Sequence, residues 1–186
     1  MNSITWIIIG IIAAILGWLI LTYNRLVTLR MRAREALSDI DVQLKRRFDL
    51  IPNLMEAVKG YMQHERQVLE NVTEARARVA STKGGPVERE HQENILTETL
   101  KTLFAVAENY PDLKANVNFL ELQRELSDTE NKIQASRRFY NTTIRDLNTK
   151  IQTFPTNLIA GWFRFFPEKF FEVENEEERK TPKVQF

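Results

Sequence analysis

The chain has 186 residues, with 26 Lys and Arg against 25 Asp and Glu, so its formal net charge is only +1, and it contains no cysteine. The missing cysteine excludes disulfides, thiolate catalysis and cysteine-ligated metals, and the balanced charge gives no overall pull toward nucleic acid. Six Gly and six Pro are few for a turn-rich sheet protein, whereas charge mixed along the chain suits the solvated faces of helices.

The first element is Ile4–Thr22, ITWIIIGIIAAILGWLILT, 19 residues without a charge. At 1.5 Å per residue such a helix covers roughly 28 Å, close to the bilayer's hydrocarbon thickness of about 30 Å. Trp6 stands near one end of the span and Trp18 and Tyr23 near the other, where aromatic rings favour the membrane–water boundary. A cleaved signal peptide would need a basic leader, a shorter apolar run and a small-residue cleavage site. Met1–Thr5 has no Lys or Arg, and Tyr23-Asn24 follows the run, so a retained membrane span is expected. Arg25, Arg30, Arg32 and Arg34 precede the first acid, Glu35. Positive charges stay on the cytoplasmic side, which predicts the N-terminus outside and the remaining chain in the cytoplasm. Gly10, Ala13, Ala14 and Gly17 share one face of the span, and small residues let helices approach closely in lipid. That face suits self-association, although Gly and Ala are also common in spanning helices for other reasons.

Beyond the span, apolar residues recur with a three-four rhythm. The first series is Leu26, Leu29, Ala33, Leu37, Ile40, Leu44, Phe48 and Ile51, a seven-residue repeat typical of helix bundles and coiled coils. The membrane helix is therefore expected to continue without a break until a turn near Asp49–Pro52, with Pro52 opening a second helix. That second series is Leu54, Val58, Tyr61, Val68, Val72, Ala75 and Val79, with a polar gap at His64-Glu65. It ends at Ser81–Pro86, a strong turn signal. A third helix starts near Val87, uses Ile95, Leu96, Leu100, Leu103, Phe104 and Ala107, and stops at Asn109-Tyr110-Pro111. A fourth runs from about Leu113 to Gln152 on Phe119, Leu122, Leu126, Ile133, Tyr140, Ile144, Leu147, Ile151 and Phe154, with Thr129 and Ser136 in its seam. The fold class read from this is all-α: one transmembrane helix continuous with a long antiparallel four-helix bundle. In that topology the end of the fourth helix returns toward the membrane.

The segment Phe154–Phe171, FPTNLIAGWFRFFPEKFF, follows. So dense an aromatic cluster is costly to expose. Two placements suit it: a short helix lying in the membrane interface with Leu158, Ile159, Trp162, Phe163 and Phe166 toward lipid, or a fold-back that caps the base of the bundle. The tail Glu172–Phe186 is acidic and expected to be mobile. The domain reading is thus 1–23 anchor, 24–153 bundle, 154–171 aromatic membrane-proximal segment and 172–186 acidic tail.

Few residues suggest chemistry. Glu88-Arg89-Glu90-His91 contains one Glu-x-x-His step, but a di-iron bundle needs two such steps and two further inward Glu. His64-Glu65 lacks a second His at zincin spacing, and there is no nucleophile elbow. No catalytic residue, metal or cofactor is expected. Lys45-Arg46-Arg47, the densest basic run, reads either as a docking patch for an acidic partner or as a turn neutralised by neighbouring carboxylates. Glu130, Arg137, Asn141 and Asn148 flank the seam of the fourth helix and read as a polar network that fixes register.

These residues also carry a family resemblance. Tyr23-Asn24-x-Leu26-Val27, Asp39–Arg47, Asp49–Leu54, Val58–Tyr61 with His64-Glu65, Thr73–Arg76, Pro111–Asn116, Leu126–Ile133, Arg137–Asn141 and Phe154-Pro155-x-Asn157 resemble the LemA family over nearly the whole chain. The resemblance implies a bacterial single-pass inner-membrane protein with a cytoplasmic helical domain and no established enzymatic activity. The resemblance supplies no mechanism; the heptad series, the small-residue face of the span, the aromatic segment and the distal turns set two functions as expectations. One is a non-enzymatic scaffold that forms homo-oligomers and organises or remodels the bilayer. The other is an adaptor presenting the turns at Lys45–Arg47 and Asn109–Asp112 to a membrane protease or envelope-stress protein.

Overall fold

The computed structural model describes residues 3–172, which are helical, in the loops between helices or in the stretch after the last one. The acidic tail lies outside the described residues apart from Glu172. Among the described residues six helices run in order: α1 Ser3–Lys59, α2 Arg66–Ser81, α3 Glu90–Ala107, α4 Pro111–Lys114, α5 Val117–Gln152 and α6 Thr156–Trp162. The described residues divide into two compact units, one drawn from residues 3–38 and 136–170 and the other from 39–135 and 171–172. Both α1 and α5 contribute to each unit.

In the first unit, Leu26, Ala33 and Ala36 of α1 are buried, as are Tyr140, Ile144, Leu147 and Ile151 of α5. Their heptad spacing puts them on one face of each helix. The N-terminal part of α1 behaves oppositely. It is long and apolar enough to cross a membrane, with mean hydropathy 2.7 and none of the apolar window buried.

In the second unit, Ile51, Leu54, Val58, Met62, Val72, Val79, Leu96, Leu103, Leu113, Phe119 and Leu126 form a hydrophobic core. Removing each large apolar side chain from water contributes about 1.5–3 kcal/mol. Thr129, a polar residue in the seam, is fully enclosed and donates its hydroxyl to the Glu125 carbonyl one turn back, at 2.7 Å.

The structure moves one turn. The chain does not reverse at Asp49–Pro52: α1 continues through Pro52 to Lys59, and the loop spans residues 60–65. Proline inside a helix lacks the N–H that would satisfy the carbonyl four residues earlier. Here that carbonyl belongs to Phe48, and Arg76 Nε of α2 donates to it at 3.3 Å. The same guanidinium lies 3.9 Å above the Phe48 ring. A side chain from another helix thus supplies the missing donor. The polar gap at His64-Glu65 is this loop, and Met62, not Tyr61, is the residue that turns inward.

Two other boundaries follow from local chemistry. Pro111 begins the short α4 as its first residue, and α5 starts only at Val117 because Asn116 caps it, its Oδ1 accepting the Phe119 N–H at 3.2 Å. Between α2 and α3, Gly84 adopts φ +117°, and a Cβ there would meet Glu88 Cβ at 2.8 Å. Only glycine fits that turn.

Candidate functional site

Within the first unit, the aromatic segment is built against α1 just beyond the apolar stretch. Helix α6 ends in a Schellman turn. The Phe165 N–H bonds the Ala160 carbonyl at 2.8 Å and the Arg164 N–H bonds the Gly161 carbonyl at 3.2 Å, with Arg164 in the left-handed region at φ 54°. The turn throws Phe165 inward, where it is only 4% exposed. Its ring meets Tyr23 edge-on with centroids 6.0 Å apart, and Arg30 sits 3.8 Å over its face. Phe163 stacks obliquely on the same Tyr23 at 4.7 Å.

Helix α5 holds the rest of the segment by its main chain. Tyr140 donates its hydroxyl to the Lys169 carbonyl at 2.9 Å. Asn148 uses both ends of its amide on Glu168: Nδ2 donates to the Glu168 carbonyl and Oδ1 accepts the Glu168 N–H, each at 3.0 Å. The segment is therefore anchored on two sides, yet much of its apolar surface stays outward. Trp162 is 86% exposed, and Phe154, Leu158, Phe163 and Phe166 are exposed as well. Burying such rings elsewhere would be favourable, so this surface asks for an apolar neighbour.

Of the two placements read from the sequence, the fold-back is the one with contacts: the segment packs on Tyr23 and Arg30 of α1 and bonds Tyr140 and Asn148 of α5. Of the five residues expected to face lipid, Leu158, Trp162, Phe163 and Phe166 are outward, but Ile159 is buried at 4% exposure. In a seven-residue helix, Leu158 and Trp162 share one face while Ile159 and Ala160 take the other. Of the seven span residues singled out, Ile4, Trp6, Gly10, Ala14, Trp18 and Thr22 are exposed or half-exposed along α1, and Gly17 likewise has nothing within 4 Å of a Cβ position.

The polar residues beside the fourth seam fall in both units. Asn148 serves the aromatic segment. Arg137 and Asn141 lie in the same unit, partly buried. Glu130 belongs to the second unit, where it answers Arg47. That arginine is 2% exposed and reaches Glu93, itself 2% exposed, at 2.6 Å and Glu130 at 2.6 Å. It also donates to the Glu93 carbonyl at 3.1 Å and to Thr97 Oγ1 at 2.5 Å. The last residue of the basic run is therefore not docking surface: Arg47 is an internal ion-pair hub, and Arg46 faces Glu125 at 3.8 Å on the surface. The sequence expectation missed this because the partners stand on α3 and α5, far away along the chain.

The turn at Asn109–Asp112 is likewise engaged. The Tyr110 hydroxyl donates to Glu65 Oε1 at 3.0 Å, and burial together with that bond and the carboxylate's charge pushes its pKa above the usual 10.0. Asn116 Nδ2 donates to the Tyr61 hydroxyl at 3.2 Å. Both bonds connect the region around α4 with the loop at 60–65.

The sequence profile of the LemA family matches residues 36–186. A protein called LemA from Metamycoplasma hominis is 33% identical over 140 residues, which cover 74% of this chain and 63% of that protein; the chain thus spans less than two thirds of that relative's length. Magnetosome protein MamQ 2 of Paramagnetospirillum magneticum is 22% identical over 186 aligned positions, covering 87% of this chain and 68% of the relative. Magnetosome protein MamQ of Magnetospirillum gryphiswaldense is 22% identical over 188, covering 85% and 69%.

Proposed function

The chain belongs to the LemA family, and from that premise we propose that it is a non-enzymatic, single-pass protein of the bacterial inner membrane. Its N-terminus is outside, and its helical domain, an antiparallel four-helix bundle, stands on the cytoplasmic face. There it self-associates and organises or remodels the bilayer. The observation that carries this reading is the aromatic segment seated on Tyr23, one residue past the apolar stretch, with Trp162 and Phe166 turned outward. That seat supports an amphipathic foot at the depth where the span leaves lipid. Self-association draws support from the small-residue face, since a Cβ at Gly10 or Gly17 would meet nothing within 4 Å and a second helix has room to approach.

The adaptor reading is weaker, because Arg47 is enclosed with its carboxylates and Tyr110 is bonded to Glu65. Two measurements on the full-length protein test the proposal. With Trp6→Phe and Trp18→Phe in place, Trp162 fluorescence in nanodiscs should be quenched by lipids brominated near the headgroup; unquenched emission would remove the foot. Native-membrane particles should contain several 21.8 kDa chains, and a strictly monomeric protein would remove the scaffold.

A further inference from the structure

A cavity of about 230 Å³ opens in the first unit beside the end of the apolar stretch, lined among others by Trp18, Leu21, Thr22 and Arg25 of α1, Lys150 of α5 and Thr156 of α6. The α1 residues follow i, i+3, i+4, i+7 spacing and so form one stripe, apolar toward the span and cationic away from it. Lys150 comes from a different helix, so two cations converge on one small space.

Neither cation is neutralised. Arg30, Arg46 and Arg47 of the same helix are engaged with Phe165, Glu125 and Glu93. The side chains of Arg25 and Lys150 make no hydrogen bond or ion pair with any described residue. Like charges facing a shared cavity repel unless an anion lies between them. Thr22 and Thr156 add hydroxyl donors, while Trp18 and Leu21 offer an apolar wall on the side of the span. The volume is below the roughly 300–1,000 Å³ of sites that enclose a whole drug-sized ligand. It suits a headgroup whose remainder lies elsewhere.

We propose that this cavity binds the phosphate headgroup of an anionic glycerophospholipid, with Arg25 and Lys150 on the phosphate oxygens and the acyl chains running along Trp18 and Leu21. The assignment rests on Ile4–Thr22 spanning the bilayer, since only then does the cavity meet headgroups. Its consequence is that the protein selects anionic lipid around itself, and that each copy carries a lipid locating α6 against the membrane surface.

The test uses the full-length protein in nanodiscs and, after extraction, native mass spectrometry with equal amounts of dioleoylphosphatidylglycerol and dioleoylphosphatidylcholine. Cations at a membrane surface favour anionic lipid by roughly fivefold each, so phosphatidylglycerol should be retained at least about tenfold over phosphatidylcholine. The double variant Arg25→Gln, Lys150→Gln should lose that preference, whereas Arg78→Gln with Lys132→Gln, an equal charge change elsewhere, should keep it. Inorganic phosphate in millimolar excess should not displace the lipid, and displacement would assign the cavity to free phosphate and overturn the proposal. Equal retention of both lipids by the wild type, or an unaltered preference in the Arg25 and Lys150 variant, would also overturn it while the span stands. Failure of the wild type to enter nanodiscs would remove both.

Discussion

The two units solve opposite problems. The second encloses a guanidinium with its carboxylates inside an apolar core, so its strongest polar groups face one another. The first leaves its apolar helix and Trp162 outward and uses its polar groups, Tyr140 and Asn148, to hold main chain. One is complete in water, and the other displays surface that water does not favour. A chain that buries an arginine to 2% exposure leaves Phe166 outward.

The most severe way to break the contrast is to open the ion-pair hub. Arg47→Ala strands Glu93 as a buried charge without its partner, which should cost about 3–5 kcal/mol, read as a lowered midpoint in chemical denaturation. An undiminished midpoint would mean that water enters the cluster and that the second unit is less closed than its geometry indicates.

A smaller effect is expected at the proline. Arg76→Ala removes the donor to Phe48 and should cost about 1–2 kcal/mol. In a Pro52→Ala background, residue 52 regains its own N–H for that carbonyl, so the same change should cost measurably less, with a coupling of about 0.5–1 kcal/mol in a double-mutant cycle. Additive costs would separate Arg76 from the proline.

In the first unit the sign reverses. Arg164 holds a left-handed conformation that costs a side-chain-bearing residue about 1–2 kcal/mol, so Arg164→Gly should raise stability by about 1 kcal/mol in thermal melts. Loss of stability instead would show that the exposed arginine makes a contribution of its own.

The weakest expected effect concerns pH. The Asp128 carboxyl lies below its ordinary 3.8, chiefly because Lys132 hydrogen-bonds it, at 2.7 Å. A depressed folded-state pKa gives stability that is present above the ordinary value and lost as pH falls through the folded one. Asp128→Asn should therefore flatten slightly the acid limb of a stability–pH curve below about pH 4, and nowhere else. For Tyr110, raised instead of lowered, the sign inverts: its contribution holds below pH 10 and fades as alkali ionises it.

What the chain disclosed before its fold was known follows from the range of each interaction. Heptad residues such as Ile40, Leu44, Ile133 and Ile144 were legible because burial of one helix face imposes its own period. Pro52 was misread because the rule for proline is local, whereas its remedy, Arg76, comes from the next helix. Arg47 looked like surface for a similar reason: its neighbours Lys45 and Arg46 are exposed, and its partners sit on α3 and α5. The aromatic segment was recognised as special, but Ile159 was assigned outward because no glycine announces the turn at Arg164 that orients α6.

The double bond pattern at Asn148 carries one more consequence. By offering a donor and an acceptor in one plane, the amide imitates a strand neighbour for Glu168, giving that residue the partner that a sheet would have supplied. Aspartate in its place would turn lone pairs on the Glu168 carbonyl, and glutamine would reach too far. A single side chain thus works as a two-pronged latch, beside the Tyr140 bond to Lys169 and the seat of Phe165.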